Sequence, residues 1–357
     1  MGTVHEERRS RLRERCSAAG LDGALVTRPG NVRWLTGMPA AEALLVTRDR
    51  AVVAVAHPAR EREDGIEERR VLPGREPGLV VVEAVGATGL LGVEEHDLTV
   101  TRHRALAAGS GASLVDLGHA VEQLRLVKDE DELNCLRVAG EIADQALGEL
   151  LESILVGRSE RHLAMELERR MVDHGADAPA YPVRVGTGEH AGRSRHLPGD
   201  RRVEEGDFLT VSLGACYRGY RSHATRTFVV GLSPEEWQID LHRAVFAAQR
   251  AAREALLPGA AYEDPLKAAR RELERHGYSD PLDDGVGHGL GLDATEEPTL
   301  RPGEFGKLEH RVPVTVGLGV GIPGRGGVRI EDSLVVRPLE DGGPELLTIT
   351  TKELLAL

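Results

Sequence analysis

Cysteine is scarce and unclustered: Cys16, Cys135 and Cys216 are the only three in 357 residues, far apart and without a C-x-x-C pair. That spacing argues against a disulfide framework and against a zinc knuckle. Cys135 falls in a helical pattern and reads as core; Cys216, beside a turn, reads as packing rather than as a nucleophile. Long apolar runs are missing too, since nothing approaches the ~20 residues that a membrane-spanning helix needs. The first residues, GTVHEERRSRLRER, are charged where a secretory leader would be apolar. The expectation is a soluble, cytoplasmic protein with no membrane partner. Basic clusters are absent as well. The formal charge is −13 and the arginines are scattered, which argues against nucleic acid binding through phosphate neutralisation.

What is present fits two domains, each long enough to bury its own core. Residues 1–124 alternate helical and strand-like runs. HEERRSRLRERCSAAG is an amphipathic helix ending at Gly20, DGALVT a short strand, and PGNVRWLTG a turn into a helix. EALLVTRD and AVVAVA read as a two-strand unit, VVVEAV as a strand, HRALAAG as a helix and ASLVDL as a strand. A second domain spans 125–357. It opens with a helix whose apolar face carries Leu133, Leu136, Ala143, Leu147 and Leu150. SERHLAMELERRMVDHG is a helix with a Ser cap and a Gly175 stop, and YEDPLKAARRELERHG is another. SPEEWQ carries a capping box, Ser233 with Glu236, with Pro234 at the first helical position.

The stretch 203–231, VEEGDFLTVSLGACYRGYRSHATRTFVVG, organises this domain. FLTVSLGA and RSHATRTFVV read as the arms of a hairpin around YRGY. Period two puts Thr210, Ser212 and Gly214 on one face and Leu209, Val211 and Leu213 on the other. One face is buried and the other is a working surface.

This hairpin resembles that of the pita-bread hydrolases: prolidase, aminopeptidase P, methionine aminopeptidase and creatinase. Gly214, Ala215, Tyr217, Gly219, Tyr220, Ser222, Thr225, Arg226, Thr227 and Phe228 fit the pattern. The resemblance is specific over about 120–340. It is weaker before, where NVRWLTG and the following strands look like a creatinase/prolidase N-terminal domain. It implies an α/β (α+β) protein, a pita-bread catalytic domain behind a smaller α/β domain, and a homodimer.

In metal-dependent members two Asp, one His and two Glu hold a pair of divalent ions. Here Ser212, His223 and Gly317 stand at the two Asp positions and the first Glu position, while His288 in GVGHGLGL and Glu331 in GVRIED are retained. One carboxylate cannot offset two hard cations, so the paired site is rejected. Two readings follow. In the first no metal or other cofactor acts, as in creatinase, and His196 in SRHLPGD is general base and acid. The spacing is one residue short of the family block, which leaves Arg195 or His196 at that position. In the second, His223, His288 and Glu331 hold one divalent metal.

The resemblance further implies a hydrolase cleaving a C–N bond in a small amide, guanidine, amino-acid-like or short-peptide substrate. His196, His288, Glu331 and His223 are the candidate catalytic residues. Glu296, Arg226, Arg329, Ser212 and Tyr181 are the candidate substrate contacts, Ser212 as a hydrogen-bond donor. Thr295 stands where peptidase relatives carry a histidine, which weakens the case for Xaa-Pro cleavage. A lyase using the same histidine base and a non-catalytic peptide-binding protein are the alternatives.

Overall fold

The computed structural model describes residues 3–57, 65–153, 155–193, 195–278, 282 and 285–357. Two compact units divide the chain, Met1–Arg125 and Leu126–Leu357. Among the described residues no helix is long and apolar enough to cross a membrane.

The first unit is built on β1 (Gly23–Val26), β2 (Ala41–Thr47), β3 (Ala51–Val55), β4 (Glu67–Arg70), β5 (Leu90–Val93) and β6 (Ser113–Asp116). They form one mixed sheet in the order β4-β3-β2-β1-β5-β6. VVVEAV departs from expectation, lying in the helix Pro77–Val85. Pro77 presets the first turn, the Glu76 carboxylate accepts from the Gly78 N–H, and Gly86 ends the helix at φ 65°. With Val81 and Val82 buried against Leu25 and Leu91, these end signals and the packing outweigh the strand preference of four valines.

The second unit contains β7 (Ala178–Pro179), β8 (Arg184–Thr187), β9 (Phe208–Leu213), β10 (Ala215–Tyr217), β11 (Tyr220–Arg221) and β12 (Ala224–Val229). β13 (Gly287–Gly289), β14 (Glu296–Leu300), β15 (Pro313–Ile322), β16 (Gly326–Val335) and β17 (Glu345–Leu346) follow. The main sheet runs β14-β13-β15-β16-β12-β9-β8, with β17 beside β16; β11-β10-β7 is a smaller sheet. The expected hairpin forms, but it breaks at Gly214. There an added Cβ would sit 1.9 Å from the Ser222 carbonyl oxygen, so only glycine lets the chain leave the main sheet.

Helices cover one face of the main sheet. Val316, Leu318, Val328 and Ile330 pack with Leu241, Val245 and Ala248 of the helix Glu236–Glu254. Leu209, Val211, Leu213 and Phe228 pack with the helices Glu130–Leu151 and Glu160–Asp173. The helix Glu236–Glu254 starts later than SPEEWQ suggests, because its capping box is Glu235 with Gln238. Gln238 also donates to the Gly206 carbonyl, and that long-range bond fixes the start.

Candidate functional site

Alternation along these strands turns the polar residues to the face away from the helices. Gly317 of β15 pairs with Glu331 of β16, Glu331 with Thr225 of β12, Thr225 with Ser212 of β9, and Ser212 with Arg184 of β8. Five strands thus place one rung of side chains across the sheet. The rung borders a cavity of about 300 Å³ whose walls include Tyr181, His223, His288, Thr295 and Arg329.

His288 reaches the cavity because β13 is flanked by glycines. A Cβ at Gly287 would lie 1.9 Å from the Thr315 carbonyl oxygen, and one at Gly289 would lie 2.1 Å from that of Glu297. The His288 Nδ1 is 2.9 Å from the Gly289 carbonyl oxygen. A carbonyl only accepts, so the proton sits on Nδ1 and the Nε2 lone pair is free for a ligand. The His223 ring packs edge-on to His288, centroids 5.1 Å apart. Burial pushes the His223 pKa down to about 3, against the opposing pull of Glu331, so the ring is neutral. Its Nε2 is buried without a hydrogen-bond partner among the described residues.

Burial alone would raise the Glu331 pKa, but Arg329 foremost, with the Thr225 hydroxyl, holds it below the usual carboxylate range. Thr225 Oγ1 donates to Glu331 Oε2 at 2.9 Å, so its single proton is committed. The Ser212 hydroxyl, 2.6 Å from Thr225 Oγ1, must therefore be the donor in that bond. Ser212 thus offers lone pairs to the cavity, where the sequence suggests a donor. The Tyr181 hydroxyl donates to the Leu213 carbonyl at 2.8 Å, and burial followed by Glu331 keeps it protonated. Tyr181 contributes a wall 4.5 Å from the His223 ring rather than a reactive group.

One ligand atom each from His223, His288 and Glu331 lies within 4.8 Å of the other two. Two imidazoles and a carboxylate are the donor set of a single zinc or related divalent ion. A pair of ions does not fit, because Glu331 is the one carboxylate among the described residues lining the cavity.

Three other expected site residues lie elsewhere. His196 Nε2 is 2.8 Å from Glu160, a carboxylate with no solvent exposure. Glu160 also accepts from His190 Nδ1 and from the Thr187 and Gly199 N–H groups. These donors overcome burial and hold the Glu160 pKa low. His196 and His190 line a recess beside Ser212 and Arg329 whose free volume, about 10 Å³, admits at most one water. Arg195 is exposed. Arg226 is one residue out of phase with Thr225 and so faces the helices. It donates to Asp332 at 2.7 Å and to three backbone carbonyls, with only 1% exposure. Glu296 pairs with buried Lys128 at 2.9 Å, and its neighbour Thr295 lines the cavity instead. Arg184, Glu160 and His190 escape sequence reasoning. A charged residue inside the apolar run YPVRVG was the available signal for Arg184.

Gly317 leaves no room for a carboxylate at this position. A Cβ there would meet Glu331 Cβ at 2.5 Å and Cγ at 2.6 Å. Gly317→Glu is expected to destabilise by ~1–3 kcal/mol through overpacking. Metal analysis should then still find no more than one ion per chain; two would mean that Glu331 can move aside.

Residues 8–127 match the Creatinase/Prolidase N-terminal domain, and residues 134–338 match Metallopeptidase family M24. The peptidase YqhT of Bacillus subtilis is 32% identical over 355 residues, which are 97% of this chain and 99% of the relative. A Xaa-Pro dipeptidase of Pyrococcus furiosus is 35% identical over 235 residues, 66% of each chain. The structure of a Xaa-Pro dipeptidase from Bacillus anthracis superposes with a TM-score of 0.89 at 30% identity, covering 99% of this chain and 100% of that one. Two matched segments in this order, carried on the two-domain α/β pita-bread fold, make the chain a member of metallopeptidase family M24.

Proposed function

We propose that the protein is a peptidase-type hydrolase that cleaves a C–N bond in a small amide or short-peptide substrate with one divalent metal ion held by His223, His288 and Glu331. The observation that carries this reading is the convergence of three ligand-ready groups, one of them a buried imidazole nitrogen with no hydrogen-bond partner among the described residues. Bound there, the ion would polarise the scissile carbonyl and lower the pKa of water toward neutrality. The chain's own groups prepare that chemistry. The Gly289 carbonyl fixes the His288 tautomer, and Thr225 orients the Glu331 carboxylate. Ser212 lone pairs accept from a substrate N–H, and the Tyr181 ring excludes water from His223. The base that the sequence suggests for a metal-free reaction, His196, lines the adjoining recess rather than the cavity.

The test is hydrolysis of a panel of dipeptides and amino-acid amides in ¹⁸O-water, with zinc, manganese or cobalt at one equivalent. The expected result is metal-dependent cleavage with ¹⁸O in the new carboxylate, reduced ~10³-fold or more in Glu331→Gln, the loss of a metal ligand and of its charge. An alkene product would favour the lyase. Failure to cleave any member under any metal would sink the hydrolase.

A further inference from the structure

The helix Glu236–Glu254 carries a second stripe beside the one that packs on the main sheet. Ile239, His242 and Phe246 recur at three and four residues along it, and with Pro234 and Leu354 they line a cleft of about 440 Å³. The C-terminal wall is fixed in place, because Leu355 and Leu357 pair with Val229 through backbone hydrogen bonds of 2.9 Å. The cleft and the cavity of His223, His288 and Glu331 have no described lining residue in common.

His242 is only 8% exposed, and its Nε2 is buried without a hydrogen-bond partner among the described residues. The ring does bond to the Lys352 backbone, and that bond favours the protonated ring, so it runs from an imidazole N–H to the carbonyl. Burial outweighs it, lowering the pKa and keeping the ring neutral. A neutral imidazole has one proton, which leaves Nε2 with its lone pair as an acceptor. The two charged residues lining the cleft differ. Arg243 pairs with Asp240 at 3.1 Å, whereas Glu353 has no ion pair among the described residues. Apolar walls, a buried acceptor and one uncompensated carboxylate suit an apolar body that ends in a protonated amine, and they disfavour an anion.

We propose that this cleft binds an apolar primary amine, whose ammonium donates to His242 Nε2 and faces Glu353 while its hydrocarbon body lies along Ile239, Phe246 and Leu354. The site goes beyond the hydrolase reading and does not depend on it.

The test is calorimetric titration of the full-length protein with 4-phenylbutylamine and with 4-phenylbutyrate, which keeps the body and reverses the charge. The amine is expected to bind at ~0.1–1 mM, the range for a ligand of its size, and the acid at least ~10-fold more weakly. Ile239→Trp fills the cleft from a position that is 40% exposed, so no buried bond is lost, and it should weaken the amine ~10-fold at unchanged Tm. His242→Phe keeps a ring of similar size without the acceptor and should weaken it by a similar factor. No binding at millimolar amine, equal affinity for the acid, or amine binding unchanged in Ile239→Trp would each overturn the proposal. Amide cleavage by the Ile239→Trp variant at the wild-type rate would show that the cleft is separate from the hydrolytic site, as proposed.

Discussion

His223→Ala is expected to abolish zinc binding at stoichiometric concentration while leaving the fold in place. Wild-type protein stripped of metal and equilibrated with zinc should take up one equivalent per chain, measured by elemental analysis after gel filtration. Protein zinc sites are worth ~10–16 kcal/mol over about four ligands, so losing one imidazole weakens binding by ~3 kcal/mol, or more than ~100-fold. The fold survives for a specific reason. The bonds that tie this position to β16 run from the His223 backbone N–H to Ser333 Oγ and from the Ser333 hydroxyl to the His223 carbonyl, and among the described residues the side chain's Nε2 has no partner to strand. The metal-free variant should therefore melt near the metal-free wild type. Only the wild type should gain stability on adding zinc, by ~2.7 kcal/mol at a hundredfold excess over Kd. Uptake of no metal by wild type, or equal uptake by the variant, would remove the ion from the mechanism and reopen the metal-free alternative.

The elements of this site were largely legible in the sequence because a strand's period is short and strict. Thr210, Ser212 and Gly214 could be placed on one face from alternation alone, and Leu209, Val211 and Leu213 on the buried one. The same rule, applied to the other arm, puts Arg226 on the helix side, and the motif match had obscured it. Register between strands distant in sequence was not legible. Nothing in YPVRVG says that Arg184 will face Ser212, since that pairing depends on how β8 meets β9 after a long connection. His196 illustrates a second limit. Its motif is local, but its partner Glu160 lies 36 residues earlier, at the start of a helix, and that contact takes the imidazole away from the cavity. VVVEAV shows a third: short apolar runs carry no period, and the residues at their ends decide.

Arg226→Met should then destabilise the protein strongly while leaving metal uptake intact, which is the opposite of what a substrate anchor would do. Asp332 is fully buried and is held by Arg226 Nη2 at 2.7 Å, Gln249 Nε2 at 2.8 Å and Lys352 Nζ at 3.1 Å. Removing the guanidinium leaves that carboxylate short of its closest cation and strips donors from the carbonyls of Thr225, Glu331 and Thr350. Breaking a buried pair from one side costs ~3–5 kcal/mol, and for a unit of this size each kcal/mol lowers Tm by ~2–4 °C. A fall of ~6–20 °C in calorimetric Tm is expected, with one zinc still bound per chain below the transition. Met retains most of the buried stem, so the loss reports the charge and its hydrogen bonds rather than an empty volume. An unchanged Tm with a raised KM would instead place Arg226 against substrate. That outcome would require β12 to shift by one residue against β16, because in the present register Thr225 and Arg226 point to opposite faces of the sheet.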